Sequence, residues 1–352
     1  MQKLPVGSQD FFNVREQNMI YVDKTKYVLE VINSSKYMFF ARPRRMGKSM
    51  LCNTLKAVYQ GRQDLFEGLY ITDKIDWQAI VCPVIHIDFS GVSMKEESLA
   101  QGLTAYMHTV SQELGIDSSD MPSAQRIFDK LINTLSQGGK KVVVIIDEYD
   151  KALNDFLDDA TIFNENRGVL RGFYGIMKLH DHKLEKVFLT GVSKYGKVSV
   201  FSQLNNVTDY SFYEPFANIC GYTQEELEYY FEEYIQQARQ HLGTTRELLL
   251  VEMKRYYNGY SYNGENTLYN PYSVLNFFQL QEFRNYWYDT GTPTFLIKAL
   301  REQKIAPFEL EKIRTEDTYL DTSDIVNVPV VALLFQTGYL TIKTKVRKNL
   351  RL

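Results

Sequence analysis

Cysteine is scarce here. The three in 352 residues (Cys52, Cys82, Cys220) form no CxxC pair, which excludes a zinc ribbon or a disulfide framework and fits a reducing cytoplasm. Basic excess is also missing. Lys and Arg number 40 against 43 Asp and Glu, a net charge of −3, so there is no electrostatic case for a protein that coats a duplex. No apolar run approaches the ~18 residues needed to span a bilayer. Met1-Gln2-Lys3-Leu4-Pro5 lacks the apolar stretch of a signal peptide. The expected location is the cytoplasm, with no membrane partner. Of five histidines only His180-Asp181-His182 lie close, at a helix end; they read as surface residues rather than metal ligands. No Ser-His-Asp or Cys-His pattern suggests a hydrolase of those kinds, and no repeat or low-complexity linker interrupts the chain.

Apolar mass is present: 44% hydrophobic and 14% aromatic residues, enough for a substantial core, at a length that suggests two domains. Short apolar runs at 36–41, 84–89, 142–146 and 186–192 read as strands. Between them, 26–33, 47–59, 96–114, 123–135 and 164–180 repeat apolar residues at helical spacing. Strands alternating with helices predict βαβ units and a parallel sheet covered on both faces. After about Phe216 the pattern changes. Thr223 and Glu226 stand at capping-box spacing before a Glu- and Tyr-rich helix. Further helices are broken at Asn258-Gly259 and Asn263-Gly264, and Leu333–Ile342 reads as a helix end, a turn at Gly338 and a short edge strand. The expected division is an α/β core over 1–215 and a mostly helical region over 216–352.

Two segments carry chemistry. Phe39–Ala41 runs into Arg42-Pro43-Arg44-Arg45-Met46-Gly47-Lys48-Ser49, and Val142–Ile146 runs into Asp147-Glu148. Together they supply what a nucleoside triphosphate and Mg²⁺ need: N–H groups at a helix start and a lysine for phosphates, a hydroxyl and a carboxylate for the cation, and a second carboxylate to activate water. Arg44, Arg45, Met46, Gly47, Lys48 and Ser49 are thus the candidate nucleotide-binding residues, Ser49 and Asp147 the Mg²⁺ ligands, and Glu148 the general base. In the pattern GxxxxGK[ST] the first glycine falls at Arg42, which with Arg44 and Arg45 adds positive charge toward the phosphates. Asp150 reads as the cap of a helix over 151–157, which leaves Asp147-Glu148 for chemistry. The 186–192 strand ends in Thr190-Gly191-Val192-Ser193. If it lies between the other two strands, Ser193 or Thr190 reports on the γ-phosphate; otherwise they are strand-end polar residues. Arg167 and Arg171 share a helix face; Arg171 is the candidate finger toward a neighbouring subunit, against a plain solvated face. Tyr21–Thr25, with Asp23, either lines the base pocket or caps a helix. The tyrosines at 256, 257, 260, 262, 269 and 272 read as packing rings, with base stacking the alternative.

These strings resemble a known family. Leu4–Phe11, Tyr21–Thr25, Arg42–Ser49, Asp147–Lys151, Thr190–Lys194, Leu204–Asn206, Cys220–Thr223, Tyr257–Tyr260, Tyr269–Pro271, Tyr286–Pro293 and Leu334–Leu340 are similar to the bacterial AAA-ATPase-like family. The resemblance implies a P-loop NTPase core with the Ser193 strand in the middle of the sheet, followed by a helical lid. Its members usually continue into a nuclease-like module of the PD-(D/E)XK type. This chain stops soon after Ile342, so that module is expected to be absent and no nuclease activity is assigned. The basic tail, with Lys343, Lys345, Arg347, Lys348 and Arg351, reads as a solvated terminus. The expected function is an Mg-ATP-binding P-loop ATPase with slow hydrolysis coupled to lid movement. One alternative is a nucleotide-gated binding module with little turnover. Another, taken from the usual fusion partner, is an accessory of nucleic-acid processing or defence. ATP, a protein partner or second copy, and nucleic acid are the candidate partners.

Overall fold

The computed structural model describes residues 1–94, 96–157, 159–194, 204, 206–289, 313–316, 330–346 and 349–351. Five strands make one sheet: β1 (Tyr37–Ala41), β2 (Val84–Asp88), β3 (Val142–Asp147), β4 (Leu184–Gly191) and β5 (Thr208–Asp209), in the order β2-β3-β4-β1-β5. Every pairing is parallel. The expected placement of the Ser193 strand holds, because β4 lies between β1 and β3. In-register pairs such as Ala41↔Gly191 and Asp88↔Asp147 bring the functional strand ends to one edge.

The strands are apolar throughout because both faces are covered. Successive residues alternate between two clusters. Tyr37, Phe39, Val144 and Ile146 face α4 (Leu99–Glu113), α5 (Ala124–Leu135), α6 (Lys151–Asn154) and α7 (Ala160–Leu179). Met38, Phe40, Val143 and Ile145 face α1 (Phe11–Glu16), α2 (Thr25–Asn33) and α3 (Lys48–Tyr59). Helix starts follow local rules. Ser98 and Gln101 form a capping box before α4, and Asp159 caps α7. These caps put α4 slightly later, and α7 slightly earlier, than apolar spacing alone predicts.

Beyond Phe216 the chain is mostly helical: α8 (Gln224–His241), α9 (Arg246–Tyr257), α10 (Pro271–Leu280), α11 (Tyr286–Asp289) and α12 (Val330–Thr337). The Thr223–Glu226 capping box forms as expected. The Asn-Gly turns belong to a short hairpin of β6 (Asn258–Tyr260) and β7 (Leu268–Tyr269). Its rings pack inward: the Tyr260 hydroxyl donates to Phe335 O at 2.8 Å, and Tyr262 is buried. A third cluster joins Phe231, Ile235, Val274 and Phe277 to Ile20 and Val22 of the N-terminal arm. Phe216, Leu268, Phe335 and Ile342 join the cluster over α3.

Some expectations are corrected. Tyr339–Ile342 is not a strand; Tyr339 N and Leu340 N turn back to Leu334 O, so those two N–H groups are already used, and the Thr341 side chain accepts from Ser261 N. The tail instead forms β9 (Thr344–Val346) and β10 (Asn349–Arg351), antiparallel to each other, with β10 also pairing β8 (Arg314–Glu316). Arg347 and Lys348, like Asn205 and Thr290–Pro293, lie outside the described residues. His180 is buried rather than on the surface, because its ring follows the end of α7 inward and Nε2 meets Asp129 at 2.6 Å.

Candidate active site

A cavity of about 490 Å³ opens at the C-terminal edge of the sheet, where ligands bind in open α/β folds. Its floor is the turn from β1 into α3. Arg45 and Gly47 hold left-handed backbone (φ 66 and 99), and Gly47 begins α3 with no side chain capping it. The first N–H groups of a twelve-residue helix therefore stay available for an anion. Lys48 is buried and folds back, its Nζ donating to Pro43 O at 3.1 Å. Arg44, Arg45, Met46, Gly47, Lys48 and Ser49 all line the cavity.

Opposite the loop, β3 delivers Asp147 and Glu148. The Asp147 carboxylate is 1% exposed; Oδ1 accepts from Glu148 N at 2.9 Å, while Oδ2 has no hydrogen-bond partner. Burial pushes its pKa up, opposed by Lys48 and Ser49 beside it. A buried acceptor left open next to a loop hydroxyl suits a divalent cation. Ser49 and Asp147 thus fit Mg²⁺ in residue type and position. Glu148 lines the cavity with φ 51, uncommon outside glycine and often a mark of function. Burial raises its pKa, the Asp147 charge adds to the rise, and Lys48 opposes it.

Other expected site residues sit elsewhere. Arg42 does not reach toward phosphate. It is 1% exposed, with Nη1 donating to Ala41 O and Ser211 O, Nη2 to Phe216 O, and its plane 3.4 Å from the Tyr262 ring centroid. It replaces the first glycine of the loop pattern as a buried tie between β1 and the segment leading to the helical region. Asp23 does not line the cavity: Oδ1 accepts from Thr25 N and Thr25 Oγ1, and Oδ2 from Tyr70 N. Its neighbours Tyr21, Val22 and Lys24 do line it. Thr190 donates to Phe40 O. Ser193 is fully buried, its hydroxyl 2.5 Å from Asp150 Oδ2. Arg171 is exposed on α7, away from the cavity of its own chain.

Asp150 stands at the cap position of α6, but its side chain makes no cap bond. It accepts instead from Val192 N, Ser193 N, Ser193 Oγ and Asn154 Nδ2. The turn carrying Glu148 is thereby fastened to the end of β4. Sequence spacing gave no sign of this, because the partners are some forty residues apart.

The remaining walls come from the N-terminal arm and the helical region. Pro5, Gly7 and Gln9 form one side, and Tyr222, Tyr272 and Leu275 another. Gly221 N donates to Met46 O at 2.9 Å, and the Arg45 guanidinium lies 4.5 Å from the Tyr272 ring centroid. Loop and helical region thus meet directly.

With loop, carboxylates and strand order in place, comparison with known proteins is decisive. A family profile described as "Predicted AAA-ATPase" matches residues 5–201. The chain belongs to this family. Over 343 residues it is also 37% identical to a protein of Azotobacter chroococcum mcd 1 described as "Uncharacterized protein in vnfD 5'region". That alignment covers 97% of this chain and 64% of the relative, so the chain spans less than two-thirds of the relative's length. The family's description is that of an ATPase, and the chain's five-stranded parallel sheet with flanking helices is a P-loop-like α/β core. Among the described residues no helix is long and apolar enough to cross a membrane.

Proposed function

We propose that this chain hydrolyses ATP slowly and couples hydrolysis to movement of the helical region (216–352) against the core (1–215). The supporting observation is the pairing of Asp147, buried with an open acceptor, and Glu148, held at positive φ in the cavity that Lys48 lines. Loop N–H groups and Lys48 hold the β- and γ-phosphates. Mg²⁺, when bound by Ser49 and Asp147, supplies positive charge for the phosphate oxygens. Glu148 accepts a proton from a water whose oxygen forms the new bond to γ-phosphorus. The bond to the β–γ bridging oxygen breaks, ADP leaves with that electron pair, and the proton passes from Glu148 to solvent. Ser193, held by Asp150, serves as a positioning residue for the β4 end. Arg171 enters this reading only as a residue facing a neighbouring copy, which with another protein or a nucleic acid is the kind of partner the lid would act on.

A second reading, a nucleotide-gated switch with little turnover, is favoured by one contact set. Gly221 on Met46 and Tyr272 over Arg45 seat the helical region on the loop itself, so a bound nucleotide disturbs that seat before any chemistry. Steady-state release of phosphate from Mg-ATP decides between the two. Turnover that disappears in Glu148→Gln supports hydrolysis; tight Mg-ATP binding without turnover supports the switch.

A further inference from the structure

We propose that Lys151 is a catalytic cation that meets the γ-phosphate from the carboxylate side as the β–γ bond breaks; this rests on the hydrolysis reading above. Lys151 opens α6, and its N–H donates to Glu148 O at 2.9 Å, so base and cation share one turn. Both line the cavity with Lys48 and Ser49. The other cations that line it, among the described residues, come from the N-terminal arm (Lys24) or the phosphate loop. Lys24 is committed to Glu226, both of whose oxygens lie 2.6 Å from its Nζ.

The Lys151 ammonium is held only lightly. It meets Asp155, one helical turn on, at 2.6 Å, and the two side chains are 26% and 33% exposed. An exposed pair of this kind adds little stability. Asp155 and Asn154 line the same cavity, so the pair parks the lysine at the site in partial contact with solvent. A γ-phosphate offers more charge and more acceptor oxygens than one carboxylate, and draws the ammonium over. The electrostatics favour such a group on the carboxylate side. Glu148 places a negative charge beside a phosphoryl group that is already anionic, while Lys48 approaches from the loop. As the β–γ bond lengthens, charge spreads over the γ-oxygens. A cation next to the base then stabilises the transition state more than bound ATP, which raises kcat rather than lowering KM.

The test uses the full chain with Lys151→Ala, Lys151→Arg, Asp155→Ala and, in parallel, Glu148→Gln. Phosphate release gives kcat and KM. Calorimetry gives affinity for Mg-ADP alone and for Mg-ADP with aluminium fluoride, which mimics the transferring group. Lys151→Ala is expected to lower kcat about tenfold or more, with KM within about threefold and Mg-ADP affinity unchanged. The aluminium fluoride complex should weaken by a similar factor, and Lys151→Arg should recover most of the loss. Asp155→Ala should lose less than Lys151→Ala, since it frees the lysine. Equal losses in Lys151→Ala and Asp155→Ala would mean an ion pair alone and overturn the proposal, as would an unchanged kcat in Lys151→Ala. Turnover that stops in Glu148→Gln but survives intact in Lys151→Ala sinks Lys151 and leaves the hydrolysis reading standing. A wild type without turnover sinks that reading. The aluminium fluoride affinity then judges Lys151, and equal values in wild type and Lys151→Ala overturn its role.

Discussion

The core wall of the cavity breaks local rules, and the helical wall obeys them. Arg45 and Glu148 hold left-handed backbone, and the buried Asp147 leaves one oxygen without a partner. Each feature costs stability on its own. Across the cavity, α8 starts from a capping box, and α10 starts from Asn270 with Pro271 in its first turn. The left-handed non-glycine residue of that region, Gln281, ends a helix, where such a conformation is ordinary. Strain gathers where charge is to be handled, and regular structure where a wall is to be held. Substitutions on the core wall should therefore change chemistry with little loss of fold, and those on the helical wall should do the reverse.

Glu148→Gln gives the largest expected effect. It keeps the shape and removes the base, so hydrolysis should fall by ~10²-fold or more while Mg-ATP affinity stays near wild type in calorimetry. A comparable loss of binding would show that Glu148 holds the ligand rather than activates water. Lys48→Ala comes next. A charge-assisted contact of about 1.5–3 kcal/mol implies at least about a tenfold loss of ATP affinity in a protein whose melting temperature barely moves. Unchanged affinity in the folded variant would remove the loop from the site.

Gly221→Ala tests the seam between the walls. Gly221 has φ 82, and a Cβ there would lie 3.0 Å from Met46 Cε and 3.1 Å from Leu268 Cβ. The left-handed backbone alone costs an alanine roughly 1–2 kcal/mol, so chemical denaturation should show a loss of at least about 1 kcal/mol, with kcat much less affected. Full stability in this variant would mean that the helical wall is not seated on the loop through this residue.

The two walls were unequally legible. Short apolar runs marked β1 to β4, and 3.6-residue spacing marked α2, α3 and α5, because both signals are local. Loop and carboxylates were legible because their chemistry lies in short strings at strand ends. What escaped depends on distant neighbours. Arg42 has the residue type of a phosphate ligand, yet its direction is set by Ser211 and Phe216 carbonyls some 170 residues on. Asp150 looks like a cap until β4 brings Val192 and Ser193 against it. Asp23 sits in a segment that does border the cavity, but its own oxygens go to Thr25 and Tyr70. The tail strands needed Arg314–Glu316 as a partner for β10, which no local pattern supplies.

The smallest expected effect tests whether the open acceptor of Asp147 is strain held for function. Burial raises its folded pKa, so the folded state binds the proton more tightly than the unfolded chain does. Stability then falls as pH rises from the ordinary carboxylate range through that raised value, and the penalty is constant above it. Asp147→Asn removes the charge and keeps the shape. Without nucleotide and Mg²⁺ at pH 8, the variant should melt on the order of 1–3 °C higher than wild type. The gap should close as pH drops toward the ordinary carboxylate value, where Asp147 is protonated in both states. Mg-ATP should reverse the order, because ligand that binds the folded state raises its melting temperature and wild type keeps the cation ligand that the variant has lost. A wild type that melts higher at pH 8 without ligand would mean that the Asp147 carboxylate is already satisfied in the empty protein. The contrast between a strained wall and a regular one would then fail at its most buried residue.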